Sequence, residues 1–268
     1  GMKHPQPAGS GKSSGSGGSS GFPESLEGYR IHMVGIKGTG MTALAEILAA
    51  RGALLTGSDV PECFYTDEIL KSLGIPYRES FSAGNLGAEV QRVIHSAAYS
   101  PQENCELQAA AARGIPVLTY PEALGELSEA FDASGIAGTH GKTSTTALAG
   151  SLLKALGLPA TVLAGSQVAG FGGRSALVLG SRFLVAETCE YRRHFLAFHP
   201  RRIVLTSVEE DHLDDFRDLE DVRSAFVEYC LRLPEGGLLV YCHDDRGARW
   251  VAQEASSARP SLRLLPYG

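Results

Sequence analysis

The sequence predicts an α/β fold: an N-terminal Rossmann-like parallel-sheet domain, then a P-loop ATPase-like α/β domain that stops short at its C-terminus. Three observations carry this. From Tyr29 onward, short apolar runs alternate with helical stretches, and βαβαβ order implies parallel strands with helices on the sheet faces. Two glycine turns, "VGIKGTGM" (Val34–Met41) and "GTHGKTS" (Gly138–Ser144), each join a predicted strand to a predicted helix. The second half repeats the alternation but ends on "LRLLPYG" with no closing helix.

The elements follow in order. "RIHMVGI" (Arg30–Ile36) reads as a strand, "GMTALAEILAARG" as a helix and "ALLTGSD" as the next strand. A helix over Thr66–Leu73, the strand "RVIHSAA", a helix over "NCELQAAAARG" and the strand "IPVLTY" complete the first unit. "PEALGELSEAFDAS" (Pro121–Ser134) reads as a helix plus connection, and the domain boundary is placed there: 22–132 and 133–268. In the second unit the glycine turn opens a helix to about Gly157, followed by short strands near Thr161–Ala164 and Phe183–Glu187. The strand "RIVLTSV", a helix over "LEDVRSAFVEYCLRL", the strand "GGLLVYC", a helix near "RGARWVAQEA" and a last strand at "LRLLPYG" finish it.

Composition narrows the function. A chain of 268 residues, 43% apolar and 20% charged, is ordinary for a globular protein and long enough for two domains. A net charge of −6 argues against a broad nucleic-acid surface, which needs a Lys/Arg patch. The cysteines, Cys63, Cys105, Cys189, Cys230 and Cys242, show no C-x-x-C spacing, so neither zinc nor a disulfide framework is expected, and a reducing cytoplasm suits them. No apolar run approaches the roughly 20 residues that span a bilayer. Residues 1–21 are expected to be disordered: Gly1 before Met2 reads as a cleavage scar, and "AGSGKSSGSGGSSG" is Gly/Ser low complexity. The "GSGK" inside it lacks a flanking strand and helix.

"GTHGKTS" carries the strongest chemistry. A strand feeding a glycine turn at a helix N-terminus presents amides and the positive dipole end to a phosphate. Lys142 can reach terminal phosphates, and the Thr143 hydroxyl is placed to ligate Mg²⁺. The turn departs from G-x-x-x-x-G-K-[ST], since Ile136 stands five residues before Gly141. In "VGIKGTGM" the glycines run G-x-x-G-x-G, which alone points only weakly to a dinucleotide; with "GSD" (Gly57–Asp59) ending the next strand, it suggests a second nucleotide or diphosphate site. "VAETCEYRRHF" and "LTSVEEDHLDDF" each follow an apolar strand, which sends Glu187 and His212 to the sheet edge where the P-loop lies. A carboxylate and an imidazole there would complete a magnesium site. Arg192 and Arg193 read equally well as phosphate partners or as a surface ion-pair couple, and Cys189 as a passive small side chain.

Taken together, "IHMVGIKGTGM", "GSD", "HSAAYSP", "GIPVLTYPEALGEL", "AGTHGKTSTT", "VAETCEYRRHFLAFHP" and "EEDHLDDF" resemble the Mur ligase family, in its order and from about Tyr29 onward. The resemblance implies that ATP and Mg²⁺ phosphorylate the lactyl carboxylate of UDP-N-acetylmuramate, and that L-alanine then displaces phosphate to form an amide in cell-wall peptidoglycan synthesis. It assigns Gly138, Thr139, His140, Gly141, Lys142, Thr143 and Ser144 to the ATP phosphates, and Lys142, Glu187 and His212 to catalysis. It gives one Mg²⁺ to Thr143 and Glu187, with His212 placing a second. The UDP diphosphate would lie over Gly38, Thr39, Gly40 and Met41, with Ser58, Asp59, His95 and Ser96 near the uridine end. Many members carry E-A-D-E-S-D where this chain has "ETCEYRR"; Glu187 and Glu190 keep their places. The family's third domain and the last part of its central domain are not in this sequence, so the expectation is an inactive fragment. Three alternatives stand beside this reading: a recycling ligase joining a tripeptide to the same sugar nucleotide, a UDP-sugar-binding module without activity, and an NAD(P) oxidoreductase, which leaves the P-loop unexplained.

Overall fold

A computed structural model describes residues 21–209 and 215–268. The N-terminal low-complexity stretch up to residue 20, and His212 with its neighbours 210–214, lie outside the described residues. The first unit runs β1 (Arg30–Val34), α1 (Thr39–Ala50), β2 (Leu54–Ser58), α2 (Thr66–Ser72), β3 (Tyr77–Arg78), β4 (Arg92–His95), α3 (Cys105–Ala112), β5 (Val117–Thr119). Its strands pair in parallel in the order β3-β2-β1-β4-β5. This strand order reverses at β1, the place where open α/β sheets bind ligands.

Helix α4 (Tyr120–Ser128) closes the first unit, and the second runs β6 (Asp132–Ala137), α5 (Lys142–Ala155), β7 (Ala160–Val168), β8 (Arg174–Val178), β9 (Phe183–Glu187), β10 (Arg202–Leu205), α6 (Leu219–Cys230), β11 (Leu238–Cys242), α7 (Arg246–Ala258), β12 (Arg263–Tyr267). The sheet order is β12-β11-β10-β6-β9-β7-β8, with β7 and β8 antiparallel and every other pair parallel. The sequence reading did not foresee β8 or the extension of β7 to Val168. Gly172 and Gly173, both at positive φ, turn the chain back on itself there, and a hairpin strand so interrupted shows little alternation.

The two sheets share one buried cluster, which runs from Leu26 and Ile31 through Leu44 to Leu184 and Val251. Helix α1 explains how. Every residue from Met41 to Leu48 is buried, because β7 and β8 pack against it as well as its own sheet. A helix covered all round need not be amphipathic. Its one acid, Glu46, is buried opposite Arg174 of β8 at 2.6 Å, and the same guanidinium donates to Ser72 Oγ at 3.1 Å. Among the described residues, no helix is long and apolar enough to cross a membrane.

Beneath the first sheet's edge sits a buried polar hub, which periodicity does not reveal. The Glu106 side chain is fully buried and accepts from His32 Nε2 (2.9 Å), Ser58 Oγ (2.5 Å), Asn85 Nδ2 (2.6 Å) and the Ser82 amide (3.1 Å). Burial alone would raise its carboxyl pKa, but those hydrogen bonds together hold it below the ordinary value. A depressed pKa stabilises the fold above the unfolded value near 4.5, and that contribution vanishes as pH falls through the folded value. Glu106→Ala strands four donors in the interior and should cost about 3 kcal/mol in urea unfolding at pH 7, with a shallower loss of stability on acidification than the parent. A cost under about 0.5 kcal/mol would show that the hub is not structural.

Candidate functional site

Helix α3 is capped by Asn104, α4 by a Thr119–Glu122 capping box, α6 by Asp218 and α7 by Asp245. Helix α2 has Asp67 and Glu68 in its first turn. Helices α1 and α5 have neither a side-chain cap nor an acidic first turn; glycine holds each cap, Gly38 and Gly141. Their first helical bonds are Thr42 N to Gly38 O (2.8 Å) and Thr145 N to Gly141 O (3.0 Å), so the amides of Thr39–Met41 and Lys142–Ser144 precede them. Unfilled N–H groups at the positive dipole end are what an anion needs.

The second of these termini follows β6. Gly138 has φ 146°, and a Cβ there would lie 1.9 Å from Thr206 Oγ1; Gly141, at φ 83°, turns the chain into α5. The segment after β10 clamps the loop: Thr139 N donates to Ser207 O (2.9 Å), His140 N to Ser207 Oγ (3.0 Å) and Glu209 N to Thr139 Oγ1 (2.9 Å). The Thr139 and His140 amides are thus spent on the protein. Lys142 Nζ donates to Gly138 O at 2.6 Å and pairs with Glu190 at 3.3 Å.

Glu187 ends β9, whose register pairs it with Ile136, two residues before Gly138. Its carboxylate accepts from Thr143 Oγ1 at 3.0 Å and from the Gly165 amide at 2.7 Å. A Cβ on Gly165 would lie 2.7 Å from Glu187 Oε1, so that position admits the carboxylate only as glycine. Sequence reading missed Gly165, which directly follows the predicted strand Thr161–Ala164 and lies inside the longer β7. The hydroxyl and carboxylate form an all-oxygen donor set, the kind Mg²⁺ takes alongside waters and phosphate oxygens. Among the described residues no group of three His, Cys, Asp or Glu side chains is arranged for a metal. The expected third member, His212, lies outside them.

The other terminus collects the remaining expected residues at the C-terminal ends of β1, β2 and β4. Gly38, Thr39, Gly40 and Met41 open α1. His95 pairs in register with Val34, and its Nδ1 donates to Ser96 O at 2.9 Å. Ser58 and Asp59 do a different job from the ligand contact expected of them. Ser58 is wholly buried with its hydroxyl on Glu106, and Asp59 accepts from the amides of Lys37 (2.7 Å) and Val60 (2.8 Å) and from Tyr99 Oη (3.2 Å). Asp59 Oδ2 braces the turn through the Lys37 amide, while Oδ1 is taken by the Val60 amide and Tyr99. Lys37, another residue sequence reading passed over, is 2% exposed and reaches Val60 O, Glu62 O, Asp67 and Glu79, which fastens the 60–67 segment beside the turn.

A cavity of about 290 Å³ joins the two termini, lined by Gly40 and Tyr120 at one end and Lys142, Gly165 and Glu187 at the other. Cys189 and His194 also face it. Cys189 is exposed at the cavity rim, and burial with Arg192 pushes the His194 imidazole down. Roomier clefts lie elsewhere, such as one of about 720 Å³ along Asp132, Arg202 and Arg263 at the N-terminal strand ends. Parallel sheets bind at the opposite edge, so those are set aside. Arg193 is committed to Asp221 (3.0 Å) and Glu228 (3.2 Å), and Arg192 stacks on Tyr191, which resolves this pair as surface ion and ring contacts.

Residues 30–132 match the Mur ligase family, catalytic domain, and residues 136–264 the Mur ligase middle domain. A curated UDP-N-acetylmuramate–L-alanine ligase of Treponema pallidum is 56% identical over 247 residues, which are 92% of this chain and 51% of that protein. The one from Borreliella burgdorferi is 39% identical over 241 residues, 89% of this chain and 51% of that protein. The chain therefore spans about half the length of the curated relatives it matches. Among solved structures, UDP-N-acetylmuramate:L-alanyl-gamma-D-glutamyl-meso-diaminopimelate ligase from Neisseria meningitides superposes with TM-score 0.78 at 27% identity, covering 90% of this chain and 78% of that one. The UDP-N-acetylmuramate-alanine ligase from Thermotoga maritima gives 0.70 at 28%, covering 83% and 51%.

The loop geometry is testable without any ligand. Gly138→Ala combines positive φ with a collision at Thr206, so it should lower unfolding free energy by about 3 kcal/mol in denaturant titrations. A loss under about 0.5 kcal/mol would mean that the clamp over the loop is loose.

Proposed function

The chain belongs to the Mur ligase family, and from that premise we propose that it carries the sugar-nucleotide and ATP sites of a ligase joining L-alanine to UDP-N-acetylmuramate. The observation that carries the proposal is the pair of uncapped helix termini, α1 and α5, opening on one cavity with Lys142 and Glu187 at its far end. Two separated anion sites joined by a passage suit a reaction in which a diphosphate substrate must bring a carboxylate to a triphosphate.

The diphosphate of the UDP-sugar rests on the amides of Thr39–Met41. The triphosphate rests on the amides of Lys142–Ser144, and Lys142 leaves Gly138 O to neutralise the oxygens of the transferring phosphoryl group. The lactyl carboxylate attacks the γ-phosphorus and ADP departs, leaving an acyl phosphate. The amine of L-alanine then attacks the acyl carbon, releasing phosphate and a proton as the amide forms. Magnesium, held by Thr143 Oγ1 and Glu187, would supply charge neutralisation at the phosphates, with His212 assigned by resemblance to a second ion. Sandwiching α1 between the sheets keeps the two sites at a fixed separation, which supplies the alignment on which phosphoryl transfer depends.

A second reading, with a tripeptide as the amine, has the Neisseria structure in its favour. The 56% identity to an alanine ligase outweighs 27% to that enzyme. Comparing L-alanine and the tripeptide as acceptors in a phosphate-release assay separates them.

The direct test is calorimetry on this chain. UDP-N-acetylmuramate and Mg·ATP should each bind, and Lys142→Ala should weaken ATP at least about tenfold while leaving the UDP-sugar unaffected. Unchanged ATP affinity would remove Lys142 from the site, and failure to bind either ligand would end the proposal.

A further inference from the structure

One group in the connecting cavity has no task in the chemistry above. Tyr120 opens α4, where the Thr119–Glu122 capping box and Pro121 fix the backbone that carries it. Its ring lies against the first turn of α1: a Cβ on Gly40 would be 3.0 Å from Tyr120 Cζ and 3.2 Å from its Oη. The hydroxyl therefore sits beside the amides assigned to the diphosphate, on the wall of the passage toward Lys142 and Glu187. Among the described residues it has no hydrogen-bond partner, whereas Tyr99, Tyr229 and Tyr65 all have one. The phenol is partly buried, and its hydroxyl opens onto the cavity, where it is available to a ligand. Burial, reinforced by the negative charge of Glu187, pushes its pKa above the ordinary tyrosine value. The group remains a proton-bearing donor.

The other polar groups lining the passage are unsuited to a carboxylate or already in use. Glu187 repels it, and Lys142 is needed by phosphate. Thr188 Oγ1 is shared between Ile136 O and Tyr229 Oη, and Cys189 Sγ accepts from the Tyr191 amide. His194 lies edge-on to the Tyr191 ring. Building on the functional reading above, we propose that Tyr120 recognises the lactyl arm of the sugar nucleotide, its Oη donating a hydrogen bond to the lactyl carboxylate and steering it toward Lys142. Tyr120 is then a specificity-determining residue: it distinguishes a UDP-sugar bearing an acidic ether arm from the parent UDP-sugar that lacks one. Such discrimination follows from a donor that is left unpaired when the arm is missing.

The test titrates UDP-N-acetylmuramate and UDP-N-acetylglucosamine, which lacks the lactyl arm, into the native chain and into Tyr120→Phe. The substitution removes one oxygen and keeps the ring that packs on Gly40. It should weaken UDP-N-acetylmuramate about tenfold, the scale of one hydrogen bond to a charged group, and leave UDP-N-acetylglucosamine unchanged. Equal losses for both sugars would show that the hydroxyl serves the turn or the diphosphate, and no loss for either would show that it is idle. Both results overturn the assignment while native binding of UDP-N-acetylmuramate keeps the functional reading intact. A native chain that binds neither sugar overturns the functional reading itself, and this inference with it.

Discussion

Glu187 reaches the first turn of α5 because β9 lies beside β6 in parallel register, with Glu187 level with Ile136. A carboxylate at that spot needs donors, and it finds them in the Thr143 hydroxyl and the Gly165 amide. Each requirement constrains another part of the chain. Gly165 must lack a side chain, Gly141 must adopt positive φ to start the helix, and Gly138 must admit Thr206. The segment after β10 then closes the loop from the other side, so four neighbouring strands, β10, β6, β9 and β7, converge on one helix terminus. The geometry around this helix terminus is a by-product of strand register, which the core enforces far more stiffly than any loop could.

The same reasoning extends to the distance between the two sites. Separate domains ordinarily meet through polar interfaces and move against each other. Here α1 is buried on every side, and one apolar cluster crosses from the first sheet to the second. Arg174 and Glu46 add a pair whose burial makes mismatch expensive, since sliding the sheets would strand a charge. The α1 N-terminus is therefore fixed by core packing relative to α5.

Much of this was legible in the sequence, and the reasons for the remainder are specific. Strand-turn-helix punctuation exposed both glycine turns, since glycine and the hydroxyl residues after Lys142 leave a local mark. The positions of Ser58 and Asp59 at a strand end were legible too, but their orientation was not. Whether a side chain faces a ligand or the turn's own amides depends on Lys37, Tyr99 and Glu106, which come from other segments. The His32–Glu106 pair spans 74 residues and no periodicity links them. The β8 strand was hidden by the paired glycines that make its hairpin possible. Nothing local marks Tyr120, because only the meeting of α4 with α1 gives its hydroxyl a cavity to face.

The charges around α5 pose one last constraint. Glu187 and Glu190 both lie against the terminus that is meant to attract phosphate, and either would repel a triphosphate at close range. In the ligand-free arrangement the conflict is held off internally: Lys142 neutralises Glu190 and is anchored on Gly138 O, while Thr143 and the Gly165 amide satisfy Glu187. An incoming polyphosphate that recruits Lys142 draws one cation away from Glu190 while negative charge accumulates. Helix-terminal amides alone, with about half an elementary charge, do not offset that. A divalent cation arriving with a nucleotide would, and the Glu187 carboxylate with the Thr143 hydroxyl are the ligands it would meet. Under the proposed reading, the acidic pair would favour the metal complex of a nucleotide over the bare anion, because the cation relieves that like-charge repulsion.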